Sequence, residues 1–407
     1  MKHLIFDDET LNLPLREEKR KSPKKEVNFK PPVALKAGTD WDGDLVEITS
    51  EVYAEPVPDW DTLLSETGYD PNDFEVMEPV KVSTWDVQNE EGVKRLYSYK
   101  FGIRTKQTTT YRDEDYRELV QQIKKHRPLK KELPDGDAVF VLNLADWQLG
   151  KADGDGTHGT VERILKLIDD AERRVDELNK LGRNIGTIVI AGVGDMQENC
   201  DGNYATQTYT VELNRRQQLR LLRRLLVKLI TTLAKKAPRV IVLSVPGNHG
   251  ENRKDGKYYT TRGDNDDVSV FEAVYEILGA NPEAYGHVEF VLPEDEIYLT
   301  LQVSDKILGW FHGHVTSGGA DPMKKIHDWW KNQTFCGEQI GQADILVTGH
   351  YHHFIVVEYD DDKIHMQCPS LDGGSEWYRD LKGVNSRPGT LSFVVDNTKP
   401  YRDLEIL

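Results

Sequence analysis

Five short apolar runs in the last two thirds of the chain each end in a side chain that can hold a metal. They read Asp146-Trp-Gln148, Gly194-Asp195, Gly247-Asn248-His249, His312-Gly-His314 and Gly349-His350-Tyr-His352. Carboxylate, amide and imidazole donors delivered together from several strand ends suit a pair of divalent cations better than a single-metal scheme. Each residue alone has an ordinary explanation: Asp146 can cap a turn, Asn248 can fill a left-handed position after Gly247, and His312 can be a satisfied core histidine. Those explanations do not account for five such residues all placed directly after apolar runs, where open α/β sheets gather their functional groups.

The elements that must position them follow from periodicity. Residues 138–144 are almost wholly apolar, as a strand buried on both faces requires. Residues 160–181 carry Val161, Ile164, Leu165, Ile168 and Leu178 at helical spacing, and 187–193 is the next buried strand. The spacing predicts a second long helix over 211–236, with Leu219, Leu222, Leu226, Leu229 and Leu233 on its core face, followed by a strand over 239–245. Its other face carries Arg215, Arg216, Arg220, Arg223, Arg224 and Lys228, either a DNA-tracking strip or a solvated face paired with acids. A helix over 268–278 and strands over 306–311, 344–348, 354–359, 363–367 and 390–395 complete the pattern.

Upstream the composition changes. Residues 1–36 read as a disordered basic tail, few in apolar anchors and broken by prolines. Residues 37–106 turn acidic but carry Trp41, Trp60, Trp85, Tyr53 and Tyr69, side chains large enough to build a small α+β accessory domain. A helix over 61–67 capped by Asp59 or Asp61 and strands over 80–87 and 94–104 are expected there. Residues 107–136 read as a connecting helix and linker, and 137–407 as one catalytic domain.

The whole chain has 407 residues and a formal charge of −17. That charge argues against nonspecific coating of nucleic acid, though not against a nuclease whose local field is set by bound cations. Its three cysteines are far apart, so neither a disulfide framework nor a thiolate zinc site is expected. The N-terminus lacks the charged start and long apolar run of a signal peptide, and no apolar stretch is long enough to span a bilayer. The expectation is a cytoplasmic protein.

The order Asp-x-Gln, Gly-Asp, Gly-Asn-His, His, Gly-His-x-His over residues 138–370 resembles the calcineurin-like metallophosphoesterase superfamily. Asp146-Trp-Gln-Leu-Gly-Lys151, a long helix and Ile188-Val-Ile-Ala-Gly-Val-Gly-Asp195 look most like its double-strand-break repair nucleases. The acidic, tryptophan-bearing N-terminal module is also similar to metallophosphoesterases encoded by tailed bacteriophages. The resemblance implies an α/β fold, a four-layer αββα sandwich, preceded here by the small α+β domain. It implies two divalent ions, manganese first, with Mg2+, Fe2+ or Zn2+ as alternatives. Asp146, Gln148, Asp195 and His352 would hold one ion, and Asp195, Asn248, His312 and His350 the other. Two carboxylates against two such ions leave a surplus of about two positive charges, which suits an anionic ester and a bridging hydroxide nucleophile. His249 would assist the leaving oxygen as general acid.

The chain departs from the family pattern in three places. Gln148 stands where a histidine is usual. The distal acid of the second motif is displaced to Glu198 or replaced by Asn199, which would sit near the substrate. Glu251, one residue further on than usual, is expected to orient His249. His312 is preferred to His314 as ligand because it follows its strand immediately, leaving His314 on the substrate side. Lys151 and Arg253 flank the first and third motifs and either contact phosphate or are plain surface charges.

The reading is a two-metal phosphoesterase, a DNA nuclease first, with a small-molecule or protein phosphatase and a noncatalytic binder with a degenerate site as alternatives. The accessory domain would bind DNA or a partner, its acidity favouring a protein partner or an intramolecular cover, and a homodimer is implied only by analogy with the repair nucleases. Because an amide oxygen is a harder donor than imidazole, manganese is expected to activate the metal-stripped enzyme more than zinc. Equal rates in a metal titration would remove that argument.

Overall fold

A strand covered on both faces needs a continuous apolar sequence, and the segments leading to the candidate ligands have it. The computed structural model describes residues 41–42, 45–71, 74–89, 92–105, 114–128, 133, 136–205, 207–254, 256–316, 321–374 and 387–407. The basic segment 1–36 and much of the expected linker lie outside the described residues. The chain divides into two compact units, one within Arg16–Tyr111 and a larger one running from Arg112 to Leu407.

The smaller unit contains β1 (Trp41–Asp42), β2 (Leu45–Thr49), α1 (Trp60–Glu66), β3 (Phe74–Asn89) and β4 (Gly92–Thr105). The strands form an antiparallel sheet in the order β1-β2-β4-β3. Asp59 caps α1 by accepting from the Thr62 amide at 2.7 Å. The core is Ile48, Leu63, Leu64, Tyr99, Phe101 and Ile103. Trp60 and Trp85, expected to fill it, are instead 38% and 40% exposed. Leucines on the inner face of α1 and the aromatic residues of β4 take the space first, and Trp60 meets Tyr99 only edge-on.

The larger unit begins with α2 (Glu114–Lys124), β5 (Ala138–Leu144), α3 (Gly156–Lys180), β6 (Ile185–Gly192), α4 (Arg215–Leu233) and β7 (Arg239–Ser244). A small hairpin of β8 (Arg253–Lys254) and β9 (Lys257–Tyr258) follows, then α5 (Asp266–Gly279), α6 (Pro282–Tyr285), β10 (Val288–Val291), β11 (Tyr298–Val303) and β12 (Lys306–Phe311). The remainder is α7 (Pro322–Cys336), β13 (Ile345–Thr348), β14 (Ile355–Asp360), β15 (Lys363–Gln367), β16 (Leu391–Asp396) and β17 (Lys399–Ile406). Two sheets result, ordered β10-β7-β6-β5-β16-β17 and β11-β12-β13-β15-β14. Strands β5, β6, β7 and β10 run parallel in the first, and β12, β13 and β15 in the second.

Alternation along these strands sorts their side chains into three layers of core. Val139, Val141, Val189, Ala191, Ile241 and Leu243 face Leu308, Trp310, Ile345, Val347, Ile364 and Met366 between the sheets. The opposite face of the first sheet, including Phe140, Leu142, Ile188, Ile190 and Val242, packs on α2, α3, α4 and α5. Phe311 and Leu346 of the second sheet pack on Ile326 and Trp330 of α7. The larger unit is therefore a four-layer αββα sandwich, as the motif resemblance implies. Full burial of each such aliphatic or aromatic side chain stabilises by roughly 1.5 to 3 kcal/mol. One polar bond crosses the dry inner layer: Trp310 Nε1 donates to Asn143 Oδ1 at 2.9 Å, tying β12 to β5.

The element bounds show where local chemistry overrides periodicity. Helix α4 starts at Arg215 rather than at residue 211 because Asn214 and Gln217 form a reciprocal capping box. Helix α3 starts at Gly156, earlier than its apolar period. Among the described residues, no helix is long and apolar enough to cross a membrane.

Candidate metal centre

The carboxyl ends of β5, β6, β7, β12 and β13 lead directly into loops that turn sharply. Of the nine non-glycine residues with positive φ among those described, six are Asp146, Gln148, Asp195, Asn199, His350 and His352. Left-handed backbone at such residues is costly and persists where surrounding contacts enforce it, a pattern that gathers at functional sites. Glycine permits the close approach. A Cβ on Gly194 would stand 2.6 Å from His312 Nδ1, and one on Gly349 2.7 Å from Asp146 Oδ2.

Asp195 is the hub, only 1% exposed. Its Oδ1 accepts the His249 amide at 2.7 Å, and its Oδ2 lies 3.0 Å from His312 Nε2. Burial would raise its carboxyl, but the neighbouring His312 and His249 outweigh burial and hold it well below the ordinary range. His312 Nδ1 donates to the Val193 carbonyl at 2.7 Å, which turns Nε2 toward Asp195. Asp195, His312 and His350 each offer one ligand atom within 4.8 Å of the others, the one such cluster among the described residues. Asn248 Oδ1, on the loop after β7, is buried with no hydrogen-bond partner among the described residues. Buried polar atoms are nearly always satisfied, so this orphan oxygen and the Asp195–His312–His350 cluster fit a divalent cation.

The other expected ligands meet differently. Asp146 accepts the His350 amide on both oxygens, at 3.1 and 2.9 Å, and His352 Nε2 lies 3.3 Å from Oδ1. Gln148 Oε1 accepts from Lys151 Nζ at 3.1 Å, and its Nε2 lies 3.4 Å from His249 Nε2. Lys151 also donates to Asp372 Oδ2 at 2.7 Å. The Lys151 side chain is 12% exposed, so it is not the plain surface charge one reading allowed.

Around His249 the expected partner is replaced. Its Nδ1 lies 2.7 Å from the Glu198 carbonyl oxygen and 3.4 Å from Glu198 Oε2. Glu251 does not orient His249: its carboxylate is taken by Arg253 at 2.7 Å, Arg262 at 2.5 Å and His314 at 3.3 Å. Arg253 is accordingly committed to Glu251 rather than standing free beside the third motif. Asn199 is committed as well, donating through Nδ2 to the His249 carbonyl at 2.9 Å and accepting the Cys200 amide. It positions the His249 loop rather than presenting its amide outward. His314 is 7% exposed, with its ring 5.5 Å from that of His312.

The arginine face of α4 is not an open strip. Arg215 grips Asp266 at 2.6 Å through both Nε and Nη2, Arg223 stacks 5.4 Å over Tyr116, and Arg224 is 5% exposed.

No protein-family model matches the chain, and no curated protein matches it. Solved structures do. A conserved uncharacterised protein of Streptococcus pneumoniae TIGR4, titled a predicted phosphoesterase, is 11% identical over 66% of this chain and 89% of its own, with a TM-score of 0.30. Wild-type Vps29 of Entamoeba histolytica, complexed with Zn2+, is 15% identical over 66% and 98%, with a TM-score of 0.28. A 5'-nucleotidase of Candida albicans SC5314 is 10% identical over 67% and 53%, with a TM-score of 0.25.

Two carboxylates absent from the motif pattern prove central. Asp372, beyond β15, holds Lys151. Asp267, in the first turn of α5, accepts the amides of Asp195 at 2.9 Å, Met196 at 2.9 Å and Gly247 at 3.0 Å. It thereby joins the loop after β6 to the loop after β7. Burial, and then the adjacent Asp195 charge, push its carboxyl up to about 7. The available signal was the doubled acid Asp266-Asp267 behind Asn265, which reads as ordinary helix capping. Asp267→Ala strands three buried amides and is expected to cost on the order of 3 kcal/mol in denaturant unfolding. A loss within about 0.5 kcal/mol, the scale of ordinary surface changes, would mean the loops do not depend on it.

Proposed function

We propose that this chain is a divalent-metal-dependent phosphoesterase of the calcineurin-like type its motifs resemble, and that it acts as a nuclease on DNA. The observation that carries the reading is the cluster of Asp195, His312 and His350, one ligand atom from each within 4.8 Å of the others, with Asn248 Oδ1 buried and unpartnered among the described residues on the loop after β7. Asp195, Asn248, His312 and His350 would hold the cation, which when bound supplies an acidified water and neutralises charge on the phosphoryl group. The protein's own work is then to place the ester and to move one proton.

His249 is the group for the proton. Its Nδ1 is fixed by Glu198, leaving Nε2, 4.0 Å from Asp195 Oδ2, as the atom that gives a proton to the leaving oxygen. Burial lowers the His249 pKa, but Glu198 and then Asp195 outweigh it, so the imidazole stays protonated to higher pH than usual.

A nucleic-acid substrate is supported by the β8–β9 hairpin. It grows from Glu251, next to His249, and exposes Lys254, Lys257, Tyr258 and Tyr259. The Arg262 guanidinium lies 3.8 Å over the Tyr258 ring at its base. Exposed tyrosines interleaved with lysines suit a strand whose phosphates and bases both need partners, with stacking contributing about 1 to 3 kcal/mol per base.

The direct test is manganese-supported cleavage of end-labelled single- and double-stranded DNA by metal-stripped protein, with Asp195→Asn alongside. Loss of full-length DNA with the unmutated protein alone is expected, and intact DNA in both would contradict the nuclease reading. A second expectation concerns pH. As a general acid His249 works only when protonated, so rate falls as pH rises through its pKa. Glu198→Gln removes the anion that raises this pKa and should move the alkaline limb to lower pH, and an unmoved limb would take His249 out of that role.

A further inference from the structure

The two halves of the centre are not equivalent. On one side, Asn248 Oδ1 lacks a hydrogen-bond partner among the described residues, and Asp195, His312 and His350 each bring one ligand atom within 4.8 Å of the others. On the other, Gln148 Oε1 already accepts from the Lys151 ammonium at 3.1 Å, which leaves Asp146 and His352, 3.3 Å apart, as the remaining pair of donors. The Gln148 amide cannot be turned to free its oxygen, because the flip would set its NH2 against an ammonium. Gln148 also adds no charge where the family pattern has a stronger donor.

From this asymmetry, resting on the phosphoesterase reading, we infer that the chain holds a single divalent cation on Asp195, Asn248, His312 and His350, and that the Lys151 ammonium supplies the positive charge on the Asp146–Gln148–His352 side. Lys151 has the placement for it. Its Nζ is 2.7 Å from Asp372 and 3.1 Å from Gln148 on a side chain only 12% exposed. An ammonium has three protons, and two are used by these acceptors. The third is left for an anionic oxygen of the ester, which a lysine meets as a point charge. Asp372 keeps the ammonium from carrying an uncompensated charge in the interior, and Ser370 Oγ fixes Asp372 from behind at 2.6 Å.

The test counts ions rather than turnover. The full chain is stripped of metal, loaded with excess Mn2+, desalted, and assayed for manganese by mass spectrometry and by electron paramagnetic resonance. About one manganese per chain, with the hyperfine spectrum of an isolated ion, is expected. Two ions with an exchange-coupled spectrum would overturn the inference while leaving a phosphoesterase intact. One ion without hydrolysis of any phosphoester would sink the functional reading and leave the inference standing, and no bound ion would overturn both. Lys151→Ala frees the Gln148 oxygen and should carry the count toward two with spin coupling, whereas Lys151→Arg keeps the charge and should stay at one. A Lys151→Ala protein that still binds one ion and cleaves at the unmutated rate would remove Lys151 from the site.

Discussion

The carboxylate of Asp195 is ionised where water scarcely reaches, and much of the sandwich edge is organised around keeping it so. Stranding a buried charge by removing its partner typically costs about 3 to 5 kcal/mol. Here the partners are the imidazoles of His312 and His249 and the His249 amide, with the His350 ring in the same cluster. They come from the ends of three strands in two different sheets. The sheets must therefore be stacked in one register before the anion can be stable, and the bond from Trp310 to Asn143 across the inner layer helps set that register.

Shells of carboxylate stand behind this hub, each fixing something other than itself. Asp267 gathers three amides from two loops, Glu251 ties Arg253, Arg262 and His314 together, and Asp372 anchors Lys151, while the Glu198 backbone carbonyl fixes His249. The acidic balance of the chain thus does not make the centre simply negative. Asp267, Glu251 and Asp372 orient an imidazole, amides and cations at fixed places. The cost appears as left-handed backbone at Asp146, Gln148, Asp195, Asn199, His350 and His352.

What could be read in advance followed from strand chemistry. Residues 138–144 and 306–311 are strands at those bounds, because a mostly apolar run has little freedom to be anything else, and 363–367 is one through the alternation of Ile364 and Met366 with polar residues. The rule that function gathers past strand ends brought Asp195, Asn248, His312 and His350 together for the same reason. Elements with a weaker apolar signature escaped notice: α7 buries little beyond Ile326 and Trp330, and β17 is a charged edge strand. The partner of His249 was sought two residues along the chain, at Glu251, and was found at Glu198, because the loop after β6 folds back under Gln207 and Gln218. Asp267 and Asp372 were hidden by resembling a helix cap and a turn, and Trp60 and Trp85 by their size, which suggests a core they do not fill.

If Asp195, Asn248, His312 and His350 together bind one cation, anomalous diffraction at the manganese edge from crystals of the full chain grown with Mn2+ should show a peak at direct ligand distance from the Asp195 carboxylate, Asn248 Oδ1, His312 Nε2 and the His350 ring. Manganese density elsewhere, or none among these four side chains, would rule that out.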